Sequence, residues 1–147
     1  MKRMTANTTT GHRLNERGFT LLELLVVLAI LGLLAAFVAP QVLKYLSRAK
    51  SDSAHIQIQN IAGTLDLFRL DVGRYPTNAE GLGALVERPA GLNSWNGPYM
   101  KDRKVPNDPW GHPYVYKIPG DHGEYDLYSL GADDQPGGSG ENADVTN

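Results

Sequence analysis

Residues 18–40 read GFTLLELLVVLAILGLLAAFVAP and decide how the rest of the chain is organised. From Phe19 to Ala39 there are 21 residues, and Glu23 is the one charged residue among them. A helix rises about 1.5 Å per residue, so this stretch is long enough to cross a hydrocarbon core of roughly 30 Å. A carboxylate inside it is costly in a bilayer and needs a partner. The stretch therefore predicts a membrane-spanning helix in which Glu23 has a function.

The charge of the chain is divided unevenly around this helix. The formal net charge is −2, whereas residues 1–18 alone have a net charge of +3, which leaves −5 for the remainder. A basic amino end before an apolar stretch is held in the cytoplasm, and an acidic remainder disfavours nucleic-acid binding. The distribution predicts an amino end inside the cell and the larger part of the chain outside. The charged residues of the amino end are Lys2, Arg3, Arg13, Glu16 and Arg17.

The helical pattern continues past Pro40, and Gly73 followed by Pro76 ends it. We expect one helix from about residue 20 to 72, roughly 80 Å long. Gly32 and Pro40 weaken it and predict a bend or local melting between them. The second half is amphipathic, with one apolar side for packing. That side is formed by Leu46, Ala49, Ala54, Ile58, Ile61, Leu65, Phe68 and Val72; the polar side carries Lys44, Arg48, Lys50, Asp52, Gln57, Gln59 and Arg69.

Residues 74–147 are rich in turn signals and contain two alternating stretches. These predict strands at 114–118 and 125–130, joined by a hairpin loop and therefore antiparallel. A short helix is predicted over 78–87, capped by Thr77 or Asn78. The fold class is α+β: a long amino-terminal helix packs on a small antiparallel sheet.

The junction Gly18-Phe19-Thr20-Leu21-Leu22-Glu23-Leu24 resembles the processing motif of type IV pilins and pseudopilins. The resemblance implies that a prepilin peptidase cuts between Gly18 and Phe19 and methylates the new amine of Phe19. It also implies that Glu23 pairs with the amino terminus of a neighbouring subunit during assembly. Composition alone also allows an uncleaved signal anchor, with Glu23 reaching to the membrane interface and doing nothing specific.

Further segments resemble the major pseudopilin of the type II secretion system: Gly73-Arg74-Tyr75-Pro76-Thr77, Pro106-Asn107-Asp108-Pro109-Trp110-Gly111 and Ser129-Leu130-Gly131-Ala132-Asp133. The resemblance implies a leader at 1–18, a transmembrane and filament-core helix at 19–40, and a periplasmic domain at 41–147. It implies a single-pass inner-membrane protein that polymerises into a periplasmic pseudopilus and helps drive folded proteins through the outer-membrane secretin. Its implied partners are other copies of itself, minor pseudopilins, the inner-membrane assembly platform and the peptidase.

The acidic, glycine-rich loop after Leu130 is a candidate metal site. From composition alone it would be solvated and disordered, and it lacks EF-hand spacing. Calcium takes six to eight oxygen ligands, which such a chain can supply. The resemblance implies a structural calcium ion bound by the side chains of Asp133 and Asp144 and the carbonyls of Leu130 and Gln135. Asp134 stands where relatives usually have glycine, and the roles of Glu141 and Asn142 stay open.

Nothing in the sequence calls for catalysis, so we expect no enzyme. The four histidines lack zinc spacing, and Gly137-Gly138-Ser139-Gly140 is neither a Walker loop nor a dinucleotide fingerprint. The chain has no cysteine, so neither a disulfide nor a thiolate is available. Alternatives within the architecture are a type IV pilin or a minor pseudopilin. An alternative of another class is a membrane-anchored periplasmic binding module that does not polymerise.

Overall fold

The computed structural model describes residues 18–147, and residues 1–17 of the predicted leader lie outside this range. The chain forms two compact units that meet between Ala39 and Pro40. Each unit is described by itself below.

Helix α1 runs Leu21–Val72, 52 residues, which confirms the predicted long helix. It ends where Gly73 adopts φ +83° and donates its N–H to the carbonyl of Arg69 at 2.7 Å. A left-handed glycine is a common helix stop. The predicted local melting between Gly32 and Pro40 is wrong, because the helix continues through both residues. Proline has a helical φ and removes only one hydrogen bond, so the flanking turns hold; a bend stays a prediction.

The first unit consists of the apolar part of α1. Its large side chains are exposed, from Leu21 at 88% to Val26 at 49%. Among residues 18–147, α1 is the one helix long and apolar enough to cross a membrane, with a mean hydropathy of 2.9 over its most apolar window. An apolar surface of this extent is stable in lipid or against other helices rather than in water. The segment fits a transmembrane anchor.

The second unit contains a three-stranded antiparallel sheet in the order β1-β2-β3. The strands are β1 Val115–Lys117, β2 Asp126–Ser129 and β3 Val145–Thr146. Tyr116 pairs with Leu127, and Tyr128 pairs with Thr146. The two predicted strands are confirmed, although each is shorter than predicted. β3 was missed, because two residues are too few for an alternating pattern.

The core of the second unit lies between the later part of α1, the turns that follow it and β2. Leu46 and Ala49 are exposed, so the predicted packing stripe begins only at Ala54. The hydrophobic core includes the stripe from Ile58 onwards, and Ala54, about one helical turn earlier, is also fully buried, so Leu46 and Ala49 lie outside it. The core residues are Ile58, Ile61, Leu65, Phe68, Tyr75, Leu82, Ala84, Leu85, Tyr114 and Leu127.

The predicted α-helix over 78–87 is instead a turn followed by a 3₁₀ helix at Leu82–Leu85. Gly81 has φ +56°, which an α-helix does not accommodate. Neither Thr77 nor Asn78 caps the 3₁₀ helix, whose N-cap is Gly81. Thr77 instead stabilises the preceding turn: its N–H donates to the Glu80 carboxylate at 2.7 Å, and its hydroxyl accepts the N–H of Glu80 at 3.3 Å. Arg74 holds the same carboxylate through two hydrogen bonds of 2.7 and 2.8 Å. These contacts fix the chain direction directly after α1.

Candidate functional site

The start of α1 is closed by a capping box formed by Thr20 and Glu23. The Thr20 hydroxyl accepts the N–H of Glu23 at 3.1 Å, and Glu23 Oε2 accepts the N–H of Thr20 at 3.0 Å. The Thr20 hydroxyl also donates to Oε2 at 3.2 Å. This reciprocal arrangement satisfies two backbone donors that a helix start leaves without partners. It also places a carboxylate at the positive end of the helix dipole.

The predicted partner of Glu23 lies in another subunit, whereas Thr20 of its own chain is a partner that was not predicted. Threonine followed three residues later by glutamate is a known capping signature and would have revealed it. Both hydrogen bonds that the Glu23 carboxylate accepts from Thr20 are made by Oε2. Its other oxygen, Oε1, has no hydrogen bond within residues 18–147. A second donor therefore has an oxygen to bind without displacing the cap.

Gly18 and Phe19, the predicted processing residues, precede the helix and belong to no helix or strand. Phe19 is 85% exposed. Within residues 18–147, no atom beyond the neighbouring residues comes within 4 Å of the position that a Cβ on Gly18 would occupy.

The loop between β2 and β3 carries all the predicted metal ligands. It contains two 3₁₀ turns, Gly131–Asp133 and Gly140–Asn142. Asp133 Oδ1 accepts the N–H of Gln135 at 3.3 Å, and Asp144 Oδ2 accepts the N–H of Gly137 at 3.0 Å. The structure thus joins Asp133 to Gln135 and brings Asp144 back to the middle of the loop. Residues 18–147 contain no cluster of three or more metal-ligating side chains.

The donor set nevertheless suits a hard cation. Asp133 and Asp144 are exposed, and each uses one carboxylate oxygen for a loop N–H, which leaves the other oxygen without a hydrogen bond in the described part of the chain. Carboxylate and backbone carbonyl oxygens are the ligands that calcium prefers. Asp134 lies in the left-handed region at φ +53°, ψ +35°. That conformation explains why glycine suits this position, and aspartate is one of the few other residues that tolerate it.

A buried cluster of hydrogen-bonded residues fixes the start of the loop between β2 and β3. This cluster was not predicted from the sequence. The Asp108 side chain is fully buried. Its Oδ1 accepts the N–H groups of Trp110 at 3.0 Å and His112 at 2.8 Å, and its Oδ2 accepts the Ser129 hydroxyl at 2.5 Å. The Ser129 oxygen accepts the N–H of Gly131 at 3.1 Å. One carboxylate therefore links residues 108–112 to the end of β2 and the first loop residue.

Gly131 is held on both sides. Its carbonyl accepts from His112 Nδ1 at 3.1 Å, so the proton of the neutral ring lies on Nδ1. With φ +71°, a Cβ at this position would lie 2.7 Å from the carbonyl oxygen of Glu141. Only glycine lets the returning limb of the loop approach this closely. The Asp-Pro-Trp-Gly turn and the serine ending a strand are the sequence signals of this cluster, but neither reveals that they meet.

Family comparisons cover nearly the whole described chain. Residues 41–147 match the family described as type II secretion system protein G. Residues 13–39 match the prokaryotic N-terminal methylation motif. The two matches meet at Pro40, where the two compact units also meet.

Relatives and solved structures agree with these matches. A type II secretion system core protein G of Pseudomonas aeruginosa is 48% identical over 92% of this chain and 96% of its own length. One of Vibrio cholerae is 44% identical over 90% of this chain and 91% of its own. A crystal structure of the major pseudopilin from the type 2 secretion system of enterohaemorrhagic Escherichia coli superimposes with a TM-score of 0.59 at 32% identity, covering 68% of this chain and 87% of that one. The predicted resemblance is confirmed: the chain belongs to the type II secretion system protein G family and is a pseudopilin.

Proposed function

We propose that the chain is the repeating subunit of a periplasmic pseudopilus, whose growth helps drive folded proteins through the outer-membrane secretin. The observation that carries this proposal is a capped Glu23 at the start of an apolar helix whose side chains are exposed. Such a surface needs lipid before assembly and other helices after it. The family is a structural one, and we assign the chain no catalysis.

Processing is the first step of the proposed function. A prepilin peptidase cuts between Gly18 and Phe19, and the new amine of Phe19 is methylated. The match of residues 13–39 to the methylation motif supports this step. The open space around Gly18 within the described residues supports it as well.

Assembly depends on Glu23 in this proposal. Cleavage creates a charged amine about one helical turn before the carboxylate. A neighbouring copy displaced along the filament by this rise sets its amine against Oε1, while Oε2 keeps its bonds to Thr20. A carboxylate in lipid is stabilised by both contacts, since each replaces hydrogen bonds that water would give. The subunit leaves the membrane with its charges paired.

The loop between β2 and β3 binds a structural calcium ion in this proposal. The side chains of Asp133 and Asp144 and the carbonyls of Leu130 and Gln135 would hold it. Bound calcium supplies a cross-link between the limbs of the loop, which is the work of a disulfide in a chain that has no cysteine. The cluster around Asp108 fixes the first limb independently of the ion.

The proposed location is the inner membrane, with one crossing and residues 41–147 in the periplasm. Partners in this setting are other copies of the chain, minor pseudopilins, the assembly platform and the prepilin peptidase. The acidic remainder of the chain gives no support to a nucleic-acid partner.

The test of assembly compares three variants in a strain lacking the chromosomal copy. Glu23→Leu removes charge and cap, Glu23→Gln removes the charge alone, and Thr20→Val removes cap bonds but keeps the charge. We expect both Glu23 variants to abolish cross-linked oligomers and exoprotein export, and Thr20→Val to reduce them only partly. Oligomers at normal yield from Glu23→Leu would contradict the assembly role.

The same strain separates the alternatives. Loss of exoprotein export with intact motility indicates the secretion pseudopilus, whereas loss of motility indicates a type IV pilin. Normal export with no cross-links through α1 would indicate a binding module that does not polymerise.

A further inference from the structure

A polar stripe lies on α1 directly after the apolar span. We propose that this stripe, formed by Gln41, Lys44, Tyr45 and Arg48, binds the headgroup of an anionic phospholipid in the outer leaflet of the membrane that holds the subunit. The inference rests on the proposed function, because it takes residues 19–40 as the membrane anchor.

Gln41 lies three and four residues before Lys44 and Tyr45, and Arg48 lies four and three residues after them, which places all four on one side of the helix. Together they line a surface groove of about 450 Å³. Lys44 and Arg48 are exposed, and no ion pair joins either of them to an acidic side chain within residues 18–147. Asp52 and Glu141 line the adjoining groove without pairing with them. The stripe therefore presents two cations with hydrogen-bonding capacity to spare.

The depth of the stripe along the helix matches the headgroup region. A bilayer has a hydrocarbon core of about 30 Å and a total thickness of roughly 40–45 Å, so each headgroup layer is about 5–8 Å thick. At about 1.5 Å per residue, Lys44 lies about 6 Å and Arg48 about 12 Å beyond Pro40. Side chains on a helix point towards its amino end, here towards the membrane. Both side chains therefore reach back towards the membrane, and this brings the guanidinium of Arg48, whose Cα lies beyond the headgroup layer, closer to that layer.

The chemistry of the stripe suits a phosphodiester. An arginine guanidinium binds two phosphate oxygens at once, and a lysine supplies a compact positive charge. The amide of Gln41 and the phenol of Tyr45 add neutral donors, and a tyrosine at this depth is typical of membrane interfaces.

The balance of charge points the same way. Residues 41–50 contain Lys44, Arg48 and Lys50 but no acidic residue. Basic residues normally lie on the cytoplasmic side of a membrane. Three of them on the outer side are therefore best explained by an anionic partner. Cleavage of the leader also removes the net charge of +3 at the inner end and leaves the amine of Phe19, whose charge Glu23 balances. After processing, the excess of basic residues next to the apolar span lies on its outer side.

The experiment measures which lipid surrounds the stripe. The chain has no cysteine, so Val42→Cys carries a single fluorophore in the mature chain reconstituted into phosphatidylcholine vesicles. Quenching by phosphatidylglycerol with a doxyl group near the headgroup is compared with quenching by phosphatidylcholine labelled in the same way. Each basic residue at an anionic surface contributes about fivefold, a value of about 1 kcal/mol converted at 25 °C. We expect at least fivefold local enrichment of phosphatidylglycerol.

The double variant Lys44→Gln/Arg48→Gln should lose the preference, so that the local enrichment of phosphatidylglycerol falls close to onefold. Lys101→Gln/Lys104→Gln removes the same charge from two exposed positions in the second unit and should leave it unchanged. Equal quenching by both lipids would refute lipid binding by the stripe. Enrichment of phosphatidylglycerol that survives Lys44→Gln/Arg48→Gln would refute it as well. Loss of cross-linking between copies with unchanged lipid preference would also overturn it and assign the stripe to subunit contacts.

Insertion is checked separately by carbonate extraction of the vesicles. Release of the chain would refute the membrane anchor and with it the proposed function. Retention without lipid preference would refute the lipid site alone.

Discussion

Asp108 joins segments that are far apart in the chain. Its carboxylate accepts three hydrogen bonds, from two backbone N–H groups and the Ser129 hydroxyl. A buried carboxylate is tolerated only when its oxygens are satisfied in this way. The loop after β2 therefore starts from a fixed point.

Removing the Ser129 hydroxyl should weaken the attachment of the loop after β2 to Asp108. We expect Ser129→Ala to destabilise the chain by about 2–3 kcal/mol, because it removes a buried hydrogen bond to a charged group and leaves Gly131 N–H without its acceptor. Urea unfolding in detergent micelles, followed by the fluorescence of Trp95 and Trp110, measures the change.

The control is Ser51→Ala, which removes a partly buried hydroxyl bonded to the backbone of the preceding helical turn. It should change the free energy of unfolding by less than about 0.5 kcal/mol. Equal effects of the two substitutions would contradict the structural role of Ser129.

At the scale of elements, the turn after α1 depends on one ion pair. Hydrogen bonds from the Arg74 guanidinium lower the pKa of Glu80 to about 2, and the N–H and hydroxyl of Thr77 assist. The Glu80 side chain is only 18% exposed. An unfolded glutamate has a pKa near 4.3, so folding stabilises the ionised form. This contribution is complete above about pH 5 and is lost as the pH falls towards 2.

Glu80→Gln should therefore lower stability by about 1–2 kcal/mol at pH 7, a value reduced for the partly exposed arginine. The difference from the unchanged chain should shrink as the pH falls below about 4. Asp126, whose pKa is lowered mainly by the N–H of Asp121, keeps some acid sensitivity in the variant. Thermal unfolding at several pH values measures this, with the exposed Glu87→Gln as control. A difference independent of pH would contradict the ion pair.

The loop between β2 and β3 should respond to calcium. At a calcium concentration 1,000 times Kd, binding adds about 4 kcal/mol to stability, so chelator should lower the melting temperature by several degrees. Asp133→Ala should abolish the difference between calcium and chelator, whereas the exposed Asp102→Ala should preserve it. Identical melting temperatures of the unchanged chain with calcium and with chelator would refute calcium binding by this loop.

The elements differ in how far the sequence predicts them. The long helix, its end at Gly73 and the two longer strands follow from periodicity and from turn residues. The 3₁₀ helix at Leu82–Leu85 was predicted as α, since a positive φ at Gly81 is invisible in the sequence. The cluster of Asp108, Ser129 and Gly131 was also out of reach, because its members meet only through tertiary contacts over about twenty residues of chain.

At the scale of the whole molecule, processing is the earliest event that can be measured. Intact-mass spectrometry of the chain from membranes should show loss of residues 1–18 and one added methyl group on Phe19. Gly18→Val should leave the precursor uncut, because the glycine lies in the cleaved bond, whereas Gly32→Ala, inside the helix, should be processed normally. An unmodified amino terminus at Met1 in the unchanged chain would indicate an uncleaved anchor.

The hydrogen bonds between Thr20 and Glu23 also affect how subunits are supplied for assembly. A subunit whose carboxylate already has partners in its own helix is not forced to find a neighbour at once. Under the proposed function, copies of the chain would therefore accumulate in the bilayer without clustering early. Filament growth would then follow the activity of the secretion machinery rather than the rate at which new chains are synthesised.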